Sequence, residues 1–272
     1  MIIKAHCKIN LGLNILRRRE DGYHDIETIM LPVRQLYDTI EVTATSAPGV
    51  EFRQSGIVVD CPVDKNLCVR AAHLMQERYA VGGVSIVLDK VVPFGAGLGG
   101  GSADATAVIV AINEVFELGL SKEVLASLAA ELGSDTPFFV YDTAHICRGR
   151  GEIMSPIELP IGGLWLAIIK PLGESVSTAE AYGGVNPSIP AVGLEELIHS
   201  PIKEWQQCIT NDFEPHIFVA HPRIAEIKDM LLQRGAIYAA MSGSGSALFG
   251  LFESYPTIDR SDDTFVHIER IV

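Results

Sequence analysis

The sequence predicts an α+β fold, from the order of its segments and from its capacity for a core. Strand-like segments come first and helices then mix with further strands, whereas an alternating parallel sheet would place a helix after each strand. Of the 272 residues, 48% are hydrophobic, which is enough to bury a large core. This length suits one large or two medium domains, and we expect two, over 1–160 and 161–272.

Local residue patterns predict the elements. Alternating or β-rich composition predicts strands over 2–16, 38–45, 50–60, 84–92, 164–170, 246–253 and 264–271. Helical spacing of apolar residues predicts helices over 66–78, 103–117, 122–132, 194–198, 202–209 and 223–234. Ser121 is placed to cap the third of these helices, and the stretch 183–193, rich in proline and glycine, predicts an exposed loop.

The charge of the chain argues against nucleic acids and membranes as partners. Lys and Arg total 21 against 34 for Asp and Glu, which gives a net charge of −13 at pH 7. Five scattered cysteines form no C-x-x-C or His/Cys cluster, so they indicate reduced packing residues of a cytoplasmic protein and not a zinc site. We expect no signal peptide or membrane span, since no apolar run approaches about 20 residues. The oligomeric state, monomer or homodimer, stays open.

Residues 93–104, PFGAGLGGGSAD, are the most informative stretch of the chain. Five glycines follow a predicted strand and precede a predicted helix, so backbone N–H groups and the positive end of a helix dipole would meet there. A flexible surface turn is the alternative, but a turn seldom needs so many glycines between a strand and a helix. The stretch therefore predicts a phosphate-binding loop, which we expect to lie outside the core.

Three kinds of phosphate loop must be distinguished. A Walker loop is absent, because no lysine precedes Ser102. The dinucleotide pattern G-x-G-x-x-G is met by Gly95, Gly97 and Gly100, with Glu117 about twenty residues on. The segment after that, however, is a predicted helix and not the strand that a dinucleotide fold requires. The third kind is P-x-x-x-G-L-G-[GS]-[GS]-S-A, the loop of the GHMP kinase superfamily, which this stretch resembles throughout.

Four ordered motifs resemble one branch of the GHMP kinases, whose members phosphorylate a cytidine diphosphate conjugate of methylerythritol in non-mevalonate isoprene biosynthesis. Besides the glycine loop they are KINL at 8–11 with REDGYH at 19–24, GSDTPFF at 133–139, and MSGSGSA at 241–247. His6 and Cys7 stand where the family usually has a proline, at a flanking position. The resemblance covers residues 4 to about 250. It implies the two-domain GHMP kinase fold, with the active site in the cleft between the domains.

The resemblance implies an ATP-dependent kinase that uses Mg²⁺ and phosphorylates the 2-hydroxyl of 4-diphosphocytidyl-2-C-methylerythritol. Lys8 falls on the family's catalytic lysine and Asp135 on its catalytic aspartate. Lys8 would stabilise charge on the transferred phosphoryl group, and Asp135 would orient or deprotonate the acceptor hydroxyl. Without the resemblance, they would be interpreted as an exposed strand lysine and a helix N-cap.

The glycine loop supplies the implied ATP-binding residues, which are Pro93, Gly95, Gly97, Leu98, Gly99, Gly100, Gly101, Ser102 and Ala103. The glycines would offer backbone N–H groups to the phosphates. Ser102 would cap the helix or direct its hydroxyl to Mg²⁺ or to phosphate. Asp104 is interpreted as balancing the helix dipole in preference to holding magnesium, so the metal ligands stay unassigned.

The resemblance also implies a set of substrate-binding residues: Asn10, Tyr23, His24, Thr178, Tyr182, Gly243 and Ser244. His24 would read the edge of the cytosine, and Tyr23 or Tyr182 would stack on its face. As residues that follow Asp21 and Gly22, Tyr23 and His24 could instead belong only to a hairpin turn. The SGSG segment at 242–245 would lie close to the diphosphate or the transfer centre, or form only a flexible hairpin.

Three other functions compete with this interpretation. Another GHMP kinase would have no use for the cytosine-binding pair Tyr23 and His24. A catalytically silent nucleotide-binding regulator would not need Lys8 and Asp135. A dehydrogenase would need the strand that is missing after the glycine-loop helix.

Overall fold

The computed structural model describes residues 1–59 and 61–272. The strands are β1 (Ile2–Arg18), β2 (His24–Thr45), β3 (Val50–Gly56), β4 (Gly83–Lys90), β5 (His145–Gly149), β6 (Ile153–Pro156), β7 (Trp165–Pro171), β8 (Tyr238–Met241), β9 (Leu248–Phe252) and β10 (Thr264–Arg270). The helices are α1 (Leu67–Tyr79), α2 (Gly100–Val115), α3 (Lys122–Ala130), α4 (Phe138–Tyr141), α5 (Thr178–Gly183), α6 (Leu194–Leu197), α7 (Trp205–Cys208), α8 (Glu214–Ala220) and α9 (Pro222–Gln233).

The α+β prediction is confirmed, and most predicted elements form near their predicted bounds. The largest difference is in β2, which begins at His24 although the sequence predicts a strand only from residue 38. Much of its first half is buried on both faces, so the alternation that marks a half-exposed strand is missing there. α2 begins at Gly100 and not at residue 103, because Gly99 adopts a left-handed conformation and forms the N-cap.

The elements that the sequence did not predict are short. They are α4, β5, β6, α5, α8 and β8, and each is too brief to show a periodic pattern. The predicted strand over 50–60 ends at Gly56, and Asp60 lies outside the described residues. The predicted helix over 202–209 is a 3₁₀ turn (Ile202–Glu204) followed by α7. Ser121 caps α3 as predicted, accepting a hydrogen bond from the N–H of Val124.

Two sheets organise the strands. The first has the order β3-β4-β2-β5-β6, with β1 also paired to β2. Its β3–β4 pair is parallel, and β2 pairs antiparallel with β4 and with β5. The second sheet has the order β10-β7-β9-β8 and is antiparallel. Predominantly antiparallel pairing agrees with the rejection of an alternating parallel sheet.

The chain divides into two compact units that interleave along the sequence. The first unit contains Met1–Lys8, Pro32–Phe94 and Gly99–Thr143, and the second contains Ile9–Leu31, Gly95–Leu98 and Ala144–Val272. This division differs from a single cut at residue 160, because β1 and β2 each run through both units. The domains over 1–160 and 161–272 stay a prediction.

Each unit has its own hydrophobic core. In the first, alternate residues of β4 and one face of α1 are buried together with most of α2. In the second, inward-facing residues of β1 and β7 pack with residues of α8 and α9. Among the described residues, no helix is both long enough and apolar enough to cross a membrane.

Candidate active site

The glycine loop joins β4 to α2 and is more buried than predicted. Pro93, Ala96 and Leu98 are buried, so the expectation that the loop lies outside the core is wrong. The cause is visible at Gly97, which has a φ of +71° and lies so close to Ser242 that a Cβ would overlap its carbonyl oxygen. Only glycine allows this approach of backbone to backbone.

Gly99 places the start of α2 beside Lys8. Its φ is +69°, and a Cβ there would lie 2.8 Å from the Phe139 ring and 3.1 Å from Cε of Lys8. The first helical hydrogen bond runs from the N–H of Ala103 to the oxygen of Gly99, at 2.9 Å. The N–H groups of the residues between them belong to the helix start, where no intrahelical acceptor is available. The predicted anion site therefore forms next to a lysine.

Lys8 and Asp135, the predicted catalytic pair, come together in the first unit. Lys8 lies on β1 and is 2% exposed, and its Nζ is 3.6 Å from Oδ2 of Asp135. The Asp135 side chain is 37% exposed and so is accessible to a ligand. Asp135 does not cap α4, whose N-cap residue is Pro137. Neither simpler interpretation, an exposed lysine or a capping aspartate, describes this pair.

Asp104 belongs to a buried charge cluster that the sequence analysis missed. We call it the Lys90 cluster: Nζ of Lys90 lies 2.7 Å from Oδ2 of Asp38 and 2.8 Å from Oδ2 of Asp104. Oδ1 of Asp38 accepts hydrogen bonds from the N–H groups of Val91 and Val92, at 2.6 and 2.7 Å. Through these contacts the cluster connects the end of β4 to the first turns of α2.

With all three groups ionised, the Lys90 cluster would carry one more negative than positive charge, and protonation of Asp104, whose pKa is raised to about 8, relieves that excess. Burial, and then the charge of Asp38, raise the pKa of Asp104 above its ordinary value, while Lys90 opposes that shift. Burial lowers the pKa of Lys90, but the two carboxylates outweigh it and the net shift is upward. Asp104 is buried and bound to Lys90, so it supports the start of α2, and the dipole and magnesium interpretations stay predictions.

The second glycine segment is fixed and is not a flexible hairpin. The hydroxyl of Ser242 donates to the oxygen of Gly97 at 3.0 Å and accepts from the N–H of Asn10 at 3.3 Å. The N–H of Ala247 donates to the oxygen of Ala96 at 3.1 Å. The central residues of the first glycine loop and the SGSG segment therefore form one hydrogen-bonded structure.

Asn211 is a second residue that the sequence analysis missed. Its amide nitrogen donates to the oxygens of Met241 and Gly243, both at 2.8 Å. Gly243, a predicted substrate residue, is buried on this support, whereas Ser244 is half-buried at the tip of the segment. An asparagine outside any periodic pattern gives no signal for such a role.

Asn10 is buried in a short polar chain. Its amide nitrogen donates to the hydroxyl of Thr28 at 3.0 Å, and that hydroxyl donates to the oxygen of Gly12 at 2.6 Å. Thr178, another predicted substrate residue, is exposed at the first position of α5. The structure thus gives Asn10 a structural partner and leaves Thr178 at a helix start.

His24 and Tyr182 form an aromatic stack in the second unit. Their ring centroids are 4.8 Å apart with planes at 22°, and the edge of Phe213 packs against Tyr182 at 4.9 Å. At this distance the two rings are in direct contact. Burial, and then the charge of Arg18, lower the pKa of His24. A neutral imidazole presents one donor and one acceptor along its edge.

Tyr23 differs from Tyr182 in being 54% exposed. It lies in the turn between β1 and β2, where its N–H donates to Oδ1 of Asp21 at 3.1 Å, so the hairpin-turn interpretation also holds. The guanidinium of Arg150 lies 4.7 Å from the centroid of the Tyr23 ring. Of the two tyrosines proposed to stack on a base, Tyr23 is the more accessible.

Comparison with known proteins places this geometry in a family. Residues 66–143 match the GHMP kinases N terminal domain, and residues 194–260 match the GHMP kinases C terminal domain. A 4-diphosphocytidyl-2-C-methyl-D-erythritol kinase of Parabacteroides distasonis is 43% identical over 265 residues, which cover 97% of this chain and 96% of that relative. The kinase of the same name from Bacteroides fragilis is also 43% identical, with 96% of each chain covered.

Solved structures agree with these relatives. A crystal structure of 4-(cytidine 5'-diphospho)-2C-methyl-D-erythritol kinase superposes with a TM-score of 0.78 at 35% identity, covering 92% of this chain and 90% of that one. The mevalonate kinase of Methanococcus jannaschii superposes with a TM-score of 0.72 at 14% identity, which is a likeness of fold alone.

Proposed function

The chain belongs to the 4-diphosphocytidyl-2-C-methyl-D-erythritol kinases, a family of GHMP kinases, and we propose that Lys8 and Asp135 carry its chemistry. The enzyme transfers the γ-phosphoryl group of ATP to the 2-hydroxyl of 4-diphosphocytidyl-2-C-methyl-D-erythritol, a step of the non-mevalonate isoprenoid pathway. The observation that supports the residue assignment is the buried ammonium of Lys8, 3.6 Å from the accessible carboxylate of Asp135.

The proposed transfer uses the pair as follows. Asp135 accepts a hydrogen bond from the acceptor hydroxyl and takes its proton as the new oxygen–phosphorus bond forms. The bond between the β–γ bridging oxygen and the γ-phosphorus breaks, and ADP leaves. Lys8 stabilises the negative charge on the transferred phosphoryl group, and its burial strengthens that interaction because little water screens it.

The glycine loop is proposed to hold the phosphates of ATP. Gly99 brings the start of α2 against Lys8, so N–H groups at the helix start and the ammonium converge on one anion. Within 1–59 and 61–272, no three His, Cys, Asp or Glu side chains cluster as a metal site. Mg²⁺ would enter on the phosphates and neutralise negative charge there, and Ser102 would direct its hydroxyl to Mg²⁺ or to phosphate.

His24 is proposed to read the cytosine edge, with Tyr23 as the stacking ring. Tyr182 would orient His24 by packing against its face, a role that the direct contact between the two rings supports. A neutral imidazole has one donor and one acceptor nitrogen that point in nearly opposite directions, so His24 would either donate to N3 of cytosine or accept from its amino group. Thr178, Asn10, Gly243 and Ser244 remain proposed contacts to the rest of the substrate.

We also propose a cytoplasmic location and no nucleic-acid or membrane partner. ATP is the co-substrate, the chain carries a net charge of −13, and none of the five cysteines forms a disulfide.

A coupled assay of ADP release tests the proposal across acceptor alcohols. We expect turnover with the cytidyl substrate, with phosphorus NMR showing a new phosphomonoester at the 2-position. Mevalonate, homoserine and methylerythritol 4-phosphate, which lack the base, should be turned over at least about a hundredfold more slowly. Equal rates with a substrate that lacks cytidine would contradict the proposed base site.

A further inference from the structure

His221 joins two carboxylates in the second unit. Nδ1 of His221 lies 2.8 Å from Oε2 of Glu174, and its Nε2 lies 2.9 Å from Oε1 of Glu180. We call these three residues the His221 bridge. His221 is the residue between α8 and α9, Glu174 follows β7, and Glu180 lies in α5. The bridge therefore connects α5 to the α8–α9 junction.

Only a protonated imidazole completes both contacts. A neutral ring carries one N–H, so it donates to one carboxylate and turns a lone pair toward the other, whereas the imidazolium donates to both. The hydrogen bonds to Glu180 and then to Glu174 raise the pKa of His221, against a smaller opposing effect of burial. The charged form is thus favoured to a higher pH than for an unpaired histidine.

Glu174 is fixed by two further contacts. Its backbone oxygen accepts from Nζ of Lys170 at 3.0 Å and from the hydroxyl of Ser246 at 2.8 Å. Glu174 is therefore held in place next to the end of β7, and His221 links Glu180 of α5 to Glu174. Tyr182 lies two positions after Glu180 on the same short helix, so fixing Glu180 restricts the ring that stacks on His24.

We propose that His221 is a positioning residue for the base site, whose imidazolium holds α5 so that Tyr182 keeps its stack with His24. This inference rests on the proposed function of His24 and goes beyond it, because it assigns a residue that contacts neither the base nor the phosphates.

Other charges around the bridge do not replace His221. Lys170 donates to the backbone oxygens of Pro171 and Glu174, and His216 contacts the backbone oxygen of Glu180 at 3.2 Å. The charges of Lys170 and His216 also act on Glu174 and Glu180, but without a side-chain hydrogen bond between them. Arg223 is bound to Glu226 and Asp263, each at 3.2 Å. Of the cations named, His221 is thus the one placed between both carboxylates.

The bridge makes substrate binding pH-dependent. Because the pKa of folded His221 is raised, the bridge is complete at low pH and is lost as the pH rises through that value. His24 does not produce the same effect, since its pKa is lowered and it stays neutral over this range. We therefore expect the KM for the cytidyl substrate to rise with pH, while the KM for ATP stays nearly constant.

The test compares His221→Gln with the wild type at about pH 6.5 and about pH 8.5, on either side of the histidine range. His221→Gln should raise the KM for the cytidyl substrate about three- to tenfold at the lower pH and remove its pH dependence. Glu180→Gln should also flatten the pH profile, because an amide pairs with a neutral imidazole. The matched control is His267→Gln, which breaks another histidine–carboxylate contact of 2.8 Å, to Glu269 on β10, and should change neither KM.

A wild-type KM profile in His221→Gln would overturn the proposal, as would an equal rise in the KM for ATP. Hydrogen exchange of the peptide over 172–184, measured at one pH, should be faster in His221→Gln than in the wild type. Tyr182→Ala separates this inference from the proposed base site. If Tyr182→Ala raises the KM and His221→Gln does not, the base site stands and the bridge is overturned.

If Tyr182→Ala leaves the KM unchanged, Tyr182 does not position His24, and the proposal that His221 acts on the base site through Tyr182 is overturned whatever the exchange rate. The base site itself is then tested by His24→Ala, which should raise the KM for the cytidyl substrate if His24 reads the base.

Discussion

The Lys90 cluster and the His221 bridge have the same composition and opposite environments. Each places one cation between two carboxylates, at 2.7 and 2.8 Å for Lys90 and at 2.8 and 2.9 Å for His221. The side chains of the Lys90 cluster are at most 3% exposed, whereas His221 is 18% exposed and its partners 32% and 41%. The side chains of the first cluster are thus buried, and those of the second are partly exposed to water.

This difference affects the cation of each cluster. Burial lowers the pKa of Lys90, but Asp104 and Asp38 outweigh it, so Lys90 keeps its charge at neutral pH. His221 can gain or lose its proton in the physiological range, so the support of α5 is conditional. In the proposed mechanism, the Lys90 cluster thus keeps its cation beneath the phosphate-binding loop, whereas the His221 bridge supports the base site only while His221 is protonated.

Replacing the buried cation should have the largest effect. Lys90→Met leaves two carboxylates buried without a cation, and we expect it to lower the free energy of unfolding by about 3–5 kcal/mol, measured by urea denaturation. Asp104→Asn is the matched control, because it replaces one of the two carboxyl groups with an uncharged amide of the same shape and keeps Lys90; its loss should be much smaller. Similar losses in both variants would show that charge balance does not govern this cluster.

Removing the proposed acceptor of the hydroxyl proton should come next. We expect Asp135→Asn to lower kcat by about a hundredfold or more and to leave both KM values within a few-fold, because the amide cannot take the proton but keeps the shape. The accessible position of Asp135 means that the variant should fold, which circular dichroism checks. Near-normal turnover would remove Asp135 from the mechanism.

Gly99 and Gly101, at the start of α2, allow a paired test with a smaller expected effect. Gly99→Ala forces a Cβ against Phe139 and Lys8 in a left-handed conformation, and we expect about 1–2 kcal/mol of lost stability together with lower kcat. Gly101→Ala meets its nearest neighbour, Leu67, at 3.7 Å and should leave stability unchanged or slightly higher. The affinity for ATP should also be measured by calorimetry for both variants. Equal behaviour of the two variants would contradict the close approach at Gly99.

The smallest effect should come from the exposed cation. His221→Gln should lower the free energy of unfolding by less than about 1 kcal/mol, the scale of partly exposed ion pairs. The loss should be largest below the raised pKa of His221 and vanish above it, because the contribution of a raised pKa is present only while the folded state holds the proton. A loss of stability as large as that of Lys90→Met, or one that is independent of pH, would contradict the proposed difference between the Lys90 cluster and the His221 bridge.

Sequence patterns predicted the parts of the site that are local in the chain. The glycine loop between a strand and a helix is contiguous, and its consequences for backbone conformation follow from residue type. The meeting of Lys8 and Asp135 was predicted through the family motifs, because nothing in composition or spacing joins residues so far apart.

Both charge clusters escaped the sequence analysis because their members are distant in the chain. Lys90 is 52 residues from Asp38, and His221 is 47 from Glu174 and 41 from Glu180. Periodicity and motif spacing contain no information on such pairs. The one signal was Asp104 in an otherwise apolar helical segment, since a carboxylate at a buried position needs a partner.

The preference for cytidine over uridine tests most directly the claim that transfer and base recognition are carried by separate groups. Uridine exchanges an acceptor for a donor at N3 and the amino group for an oxygen, so the wild type should favour the cytidyl substrate by about a hundredfold or more in kcat/KM. His24→Ala should shrink that ratio, and Asp135→Asn should slow both substrates while preserving it. Equal kcat/KM for the two substrates in the wild type, or a ratio that collapses in Asp135→Asn, would contradict the account.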